Sequence, residues 1–420
     1  MQYDNLKDSI TLLTQLSFLL TKTELTLYKK LQEVLEILST ALKVKRCSLI
    51  LYNEDNGRYE MYAAKGMSLS FEELRKLDPV KNSQIIRYVI ENKKPIIVCS
   101  EEDMIKHGIT PKKNYKIQSF ISVPLISNGN FLGVMNLTET ESEKPFSKVE
   151  AHTIVILSDH IATTIENAKL SEEVLKNNII KEQLELARKV QFSLIPEQFP
   201  DTDKIEAYGF TEPTFQVGGD YLDVLNVNGN EFAFIVGDVS GKGIPAALVM
   251  TSFRSYWRAL VKHTRTPKKI FEKLNSILLP DLDKESLYLT CFYGIYNFKK
   301  RMLYFGNAGH EFPMYYSRKE GSFKFLKRNN TILGAFKDMN FSTFSKKVEK
   351  GDIIILYSDG ITDFKFLRNI DALKTIENIF SDNREKSLKF IMEEVKKVLK
   401  GYLNGTKHSD DLTLLAVRFK

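Results

Sequence analysis

Four acidic patches in the C-terminal half of the chain each abut an apolar, strand-like run. They are "VGGDYLDVL" with Asp220 and Asp223, "FAFIVGDVSG" with Asp238, "DIIILYSDGITD" with Asp359 and Asp363, and "SDDLTLLAV" with Asp410 and Asp411. A single aspartate at a strand end is ordinarily a turn or capping residue. Four such patches in one domain point to a shared task, because carboxylates gathered at one end of a sheet repel each other unless a cation or proton shares the site. No Cys or His stands near them, so the donor set is oxygen and favours a hard ion, Mg²⁺ or Mn²⁺. Gly218, Gly219, Gly237 and Gly241 let the backbone turn tightly beside such a site, where a carbonyl can also serve as ligand.

The pair Gly241-Lys242 raises a different possibility, a phosphate-gripping nucleotide loop. That loop needs four residues between its first glycine and the Gly-Lys pair, then Ser or Thr. Here Asp238, Val239 and Ser240 alone separate Gly237 from Gly241, and Gly243 follows Lys242. Asp238 is therefore the residue of interest. Asn228-Gly229 marks a hairpin between the first two runs, which would bring Asp220 and Asp238 to its open end.

Three sections position these residues. Up to about residue 165, Leu31, Val34, Leu35 and Leu38 recur at helical spacing. Asn56-Gly57 and Asn128-Gly129 then mark hairpins between strand-like runs, and a long helix starts near Lys148. An α+β domain with an antiparallel sheet is expected. From 166 to 199, Ile165, Ala168, Leu175 and Ile179 form one stripe, and Ile180, Leu184, Ala187 and Leu194 a second, displaced by one residue. That suits a helical linker able to pair with its copy as a short coiled coil, ended by Pro196 and Pro200. The third section, 200–420, carries the chemistry.

Composition narrows the class. The net charge of +7 comes from 60 basic and 53 acidic residues mixed along 420 positions, too diffuse for a nucleic-acid partner. Cys47, Cys99 and Cys291 lack metal-ligand spacing. The start of the chain, with Asp4 and Asp8, is not expected to be a signal peptide, and "TLLTQLSFLL" is too short and polar for a membrane span to be expected there. A cytoplasmic protein is expected, with no membrane partner.

Two resemblances sharpen this reading. "SFISVPLISNGNFLGVMNL" followed by "FSKVEAHTIVILSDHIATTIENAKL" resembles a GAF sensory domain. Such domains bind small molecules, cyclic nucleotides or haem, or only dimerise. His107, His152 and His160 are conceivable haem ligands, with surface or packing roles as the plainer alternative, and no cofactor-binding residue is assigned. Residues 200–420 resemble the PPM-type serine/threonine phosphatases of the stage II sporulation protein E and sigma-factor-regulating branch. The matching pieces, in order, are "GGDYLD", "GDVSGKGIPAALVM", "NAGHEFPMYY", "GDIIILYSDGITD" and "DDLTLLAV". The resemblance implies a β-sandwich flanked by helices, with two Mn²⁺ or Mg²⁺ ions at one end. It implies that Asp238 bridges the ions, with the carbonyl of Val239 on one and Asp359 and Asp410 on the other. Asp220 would be a direct or outer ligand, and Asp223, Gly241, Asp363 and Asp411 would stand in an outer shell. Relatives commonly carry Glu at the position of Asp363, and His310 matches without a derivable role.

The implied reaction is hydrolysis of phosphoserine or phosphothreonine by in-line attack of water, on a protein such as an anti-sigma factor antagonist, by a homodimer under sensory control. An idle phosphoprotein-binding scaffold and a metal-dependent phosphodiesterase are the alternatives.

Overall fold

The computed structural model describes residues 27–67, 71–81, 83–109, 119–368, 371–403 and 410–420. The readings made on Asp4, Asp8 and residues 11–20 lie outside them. No helix among the described residues is long and apolar enough to cross a membrane. The chain divides into two compact units, Met1–Ile179 and Ile180–Lys420.

The first unit runs α1 (Leu27–Ala41), β1 (Val44–Asn53), β2 (Arg58–Lys65), α2 (Phe71–Lys76), α3 (Gln84–Asn92), β3 (Ile96–Val98), α4 (Glu101–Lys106), β4 (Phe120–Ser127) and β5 (Asn130–Thr140). Helix α5 (Lys148–Leu194) starts in this unit and ends in the second. The strands form one antiparallel sheet in the order β2-β1-β5-β4-β3. Leu31, Val34, Leu35 and Leu38 of α1 pack with Ile154, Leu157, Ile161 and Ile165 of α5 on one face of the sheet. This is the stripe that the helical spacing marked. On the other face, Val89 of α3 and Met104 of α4 pack with Ile96 and Val134.

The hairpin signals differ in detail. Asn128 and Gly129 both take positive φ, 50° and 83°, and form a two-residue turn between paired Ser127 and Asn130. At Asn56-Gly57 only the glycine does, at 69°, within a four-residue loop closed by the Gly57 N–H on Asn53 O. His107, His152 and His160 are exposed. None of them lines the unit's cavity of about 290 Å³, whose walls include Ile50, Met61, Ile86 and Asn136, so the haem reading has no support here. On α5, Leu175, Ile179 and Ile180 stay exposed, and the helix stops at Leu194, ahead of Pro196.

The second unit continues with β6 (Ile205–Glu212), β7 (Tyr221–Asn226), β8 (Glu231–Val239), α6 (Ile244–Leu260), α7 (Pro267–Leu282), β9 (Leu289–Asn297), β10 (Met302–Ala308), β11 (Met314–Ser317) and β12 (Ser322–Phe325). There follow β13 (Phe344–Lys347), β14 (Ile353–Tyr357), α8 (Asp359–Arg368), α9 (Ala372–Asp382), α10 (Leu388–Leu403) and β15 (Leu412–Phe419). Two five-stranded antiparallel sheets result, β13-β10-β9-β8-β7 and β12-β11-β14-β15-β6. Their inner faces meet in a core that includes Leu222, Phe234, Val236 and Phe292 from one and Ile354, Leu356, Leu415 and Val417 from the other. The outer face of the first sheet buries against Phe253, Trp257 and Phe271 of α6 and α7. The second buries against α9 and α10 through Ile376, Phe380, Ile391 and Val395. The architecture is helix, sheet, sheet, helix.

The two-residue period of a strand decides which side chains can share a site. On β7, Leu222 and Val224 face the other sheet, while Tyr221 faces the helices. Asp223 shares the Tyr221 side and is spent there. It is fully buried, accepts from Arg258 Nε at 2.7 Å, from its own neighbour Val224 N at 2.8 Å and from the Tyr221 hydroxyl. A buried carboxylate that loses its cation is left with an uncompensated charge. Arg258→Leu is therefore expected to lower unfolding free energy by about 3 kcal/mol, and Asp223→Asn in the same chain to recover part of it. Urea denaturation of the three proteins checks this; equal midpoints for wild type and Arg258→Leu would contradict it.

Candidate active site

Both sheets deliver aspartates to the same end of the sandwich. Tyr221 pairs with Gly237, so Asp220, just before β7, stands opposite Asp238 near the end of β8. In the other sheet β14 and β15 run antiparallel, with Tyr357 paired to Leu414 and Ser358 N donating to Thr413 O at 3.1 Å. That brings Asp359, after β14, beside Asp410 and Asp411, before β15. Asp238, Val239, Gly241, Lys242, Asp359 and Asp410 line a cleft of about 200 Å³, together with Tyr288, Thr290, His310 and Glu311. Asp223 is not brought there, because its strand parity and Arg258 hold it on the helix side.

Charge is the dominant feature of this cleft. Asp238 is pushed up to about 7 by burial and by the nearby Asp359, Asp410 and Asp411. Asp220 is 4% exposed, and neither of its oxygens has a hydrogen-bond partner among the described residues. Burial first, then Asp238 and Asp411, holds its carboxyl well above the usual range, although Ser358 and Thr413 hydroxyls nearby work against that. Asp359 sits at the solvent-accessible rim. The protein behind it still removes hydration, and Asp410 and Asp363 add to the upward shift. Asp363, one helical turn along α8, does not line the cleft but acts on Asp359 and Glu311 through its charge.

The glycine-lysine pair has a local use. Lys242 Nζ lies 2.8 Å from Asp410 Oδ2, so its ammonium already offsets one carboxylate. Asp411 serves the backbone, accepting from Thr214 N at 2.7 Å and Gly219 N at 2.9 Å. Its fit is tight: a Cβ on Gly218 would lie 2.2 Å from Asp411 Oδ2. The loop "VGGD" is therefore stapled to the start of β15.

Three residues of this neighbourhood were not assigned a role from sequence. Gln191, at the end of α5, is buried; its Nε2 donates to Gly218 O at 2.7 Å and its Oε1 accepts from Gly218 N at 3.1 Å. The only signal was its place in "LELARKVQFSLIPEQFP", which resembles the helix leading into such domains. His310 is buried, with Nδ1 2.9 Å from Thr290 Oγ1, and Thr290 pairs across the strands with Asp238. Burial lowers its pKa to about 4, so it is neutral and braces the strand beneath Asp238. Glu311 follows it in "NAGHEFPMYY"; burial, Asp359 and Asp363 raise its pKa.

The donor set suits a hard cation on physical grounds. Its acidic side chains offer oxygen donors, and Asp220 adds a buried carboxylate with no hydrogen-bond partner among the described residues, although His310, whose Nε2 is also unpaired, lines the cleft as well. Among the described residues no three acidic, His or Cys side chains already close around one point. Like charges repel, and Lys242 is the one cation paired with them among the described residues.

Comparison with known proteins agrees with this geometry. The model of stage II sporulation protein E matches residues 228–420 and that of the GAF domain residues 27–165. Phosphoserine phosphatase RsbU of Bacillus subtilis is 31% identical over 245 residues, covering 57% of this chain and 71% of RsbU. The chain belongs to the SpoIIE family. This SpoIIE-type chain is thus a protein serine/threonine phosphatase with a GAF domain ahead of its catalytic unit. Phosphoserine phosphatase RsbP of the same organism is 24% identical over 243 residues, 57% of this chain and 58% of RsbP. The SiaA-PP2C domain of Pseudomonas aeruginosa shares the fold, with a TM-score of 0.50 at 18% identity over 58% of this chain and 99% of that one. The SpoIIE match begins downstream of Asp220 and Gln191.

Removing Gln191 would leave a buried N–H and C=O of Gly218 unpaired, at about 1–3 kcal/mol. Gln191→Ala is expected to lower the unfolding free energy by that order and to slow turnover by loosening the Asp220 loop; wild-type values of both would contradict the clamp. A second expectation concerns pH. Ion-free folded protein holds more protons than the unfolded chain between about pH 4 and about 7, where Asp238 titrates in the fold. Stability then falls as pH rises through that window. Melting of chelator-treated protein at pH 5 and 8 should show the loss, and Asp238→Asn should shrink it.

Proposed function

We propose that this phosphatase is metal-dependent. In this reading Asp238, Asp220, Asp359, Asp410 and the carbonyl of Val239 hold two Mn²⁺ or Mg²⁺ ions, and the substrate is phosphoserine or phosphothreonine on a regulatory protein. The observation that carries it is the buried, unpartnered carboxylate of Asp220 facing Asp238. Among the described residues, no cation forms an ion pair with either. Bound ions would lower the pKa of water and offset the charge of a phosphoryl group.

The chain's own residues do the rest. Asp411 and Gln191 hold the Gly218–Asp220 backbone from opposite sides, which fixes where Asp220 points. His310 and Thr290 brace β8 and β9 under Asp238. Gly241 turns the backbone at the cleft, next to Lys242, with φ of 89°. The Lys242 ammonium can pass from Asp410 to a phosphate oxygen as ions take up the carboxylates. Asp363 and Asp411 keep an outer role, whereas Asp223 is assigned to the helix layer.

The substrate proposed is an anti-sigma factor antagonist, a reading supported by the likeness to RsbU and RsbP. The exposed apolar stripe of α5 around Leu175, Ile179 and Ile180 supports pairing with a second copy. Through that helix the GAF domain would control the rate.

Hydrolysis of p-nitrophenyl phosphate should require Mn²⁺ or Mg²⁺ and stop with chelator. Asp238→Ala and Asp220→Asn should each lower kcat/KM by at least about 10²-fold, with far-UV circular dichroism unchanged. Turnover surviving in the Asp238→Ala protein would overturn the metal assignment.

A further inference from the structure

Beside the cleft lies a larger hollow of about 520 Å³, and Glu311 lines both. One wall is β12, through Phe323, Lys324 and Phe325; the other is the start of α9, through Leu373 and Lys374. β12 is an edge strand, and among the described residues no strand pairs with its outer side. Soluble proteins usually blunt such an edge with charge or proline. β12 is short and carries the exposed Lys324 as such a charge, and next to it Phe325 is 44% exposed. Met314 and Ile361 form the buried floor.

Apart from Glu311, the charged side chains lining the hollow are already engaged. Lys374 pairs with Glu377 at 2.9 Å, Lys324 pairs with Glu320, and Asp371 accepts from Lys374 N at 2.9 Å to cap α9. What is left on offer is apolar surface and an open strand edge.

A phosphorylated side chain cannot enter the cleft without its backbone, and an extended chain advances about 3.3 Å per residue. Positions flanking the phosphorylated residue must therefore lie over a neighbouring surface. We propose that this hollow receives the extended segment of the polypeptide substrate next to its phosphoserine, with an apolar side chain about two to four positions away seated against Phe323, Phe325 and Leu373. The proposal rests on the metal-dependent phosphatase reading of the cleft. Strand addition at β12 supplies sequence-independent main-chain bonds, and the apolar wall selects the side chain. A small phosphate ester touches none of this.

The test compares phosphoserine peptides carrying leucine on the N-terminal side, on the C-terminal side, or serine at both, with p-nitrophenyl phosphate as the small ester, all with Mn²⁺. Wild type should hydrolyse one leucine peptide with kcat/KM at least about tenfold above the serine peptide. Phe325→Ser, and independently Leu373→Ser, should bring that ratio to within about twofold while leaving the small ester's rate in place. Equal rates for all peptides, or variants that slow the small ester as much as the leucine peptide, would overturn the docking assignment and leave the phosphatase reading standing. Failure of wild type to hydrolyse even the small ester would overturn both.

Discussion

Mutual repulsion among aspartates at one end of the β-sandwich is the constraint on which the rest depends. Asp220 and Asp238 come from one sheet, Asp359, Asp410 and Asp411 from the other; Asp238 and Asp411 raise the proton affinity of Asp220, Asp359, Asp410 and Asp411 raise that of Asp238, and Asp410 raises that of Asp359. Such an arrangement persists only where the surrounding fold is stable enough to hold it. The inner faces of both sheets are continuous apolar surface away from that end, and the outer faces are covered by helices. The unfavourable charge is thereby confined to the end where Asp238, Asp359 and Asp410 line the cleft, with Asp220 buried behind it.

Much of the framework around the cleft consists of backbone ties rather than further charge. Gln191 and Asp411 hold adjacent peptide groups of one glycine pair. Ser358 Oγ donates to Asp411 O at 3.0 Å and accepts from Thr413 N at 3.0 Å. These bonds link the loop before β7, the loop after β14 and the start of β15, the segments that carry the aspartates. The glycine pair is needed for the approach: a Cβ at Gly219 would fall 2.8 Å from Val239 O, next to Asp238. Rigid presentation of like charges is what gives a binding site for a hard ion its strength, because no reorganisation is needed when the ion arrives.

The hairpin from β7 to β8 shows how far local pattern carries. Asn228-Gly229 does sit in the turn, with Gly229 at φ of 71°, and pairing follows as the alternation of the flanking runs requires. The same alternation was enough to separate Asp220 from Asp223, since they lie three residues apart and so on opposite faces. Grouping both as site residues by proximity in sequence passed over that period. His310, left without a derivable role by the sequence, lies in the cleft wall, because cross-strand pairing sets Thr290 beside Asp238 and His310 beside Thr290.

The sequence by itself determined the apolar runs beside the aspartates and the hairpin between Asp220 and Asp238, because these follow from side-chain period, turn chemistry and residue type within short windows; the expectation that no histidine stands near the aspartates fails at His310, which lines the cleft. The tertiary structure decided what depends on which distant segments meet. Asp223 was given to Arg258, Lys242 to Asp410, and Asp411 to the backbone of Thr214 and Gly219, and Gln191 was placed on Gly218. Each of those pairings joins residues far apart in the chain, where neither spacing nor propensity selects one acidic or amide partner over another.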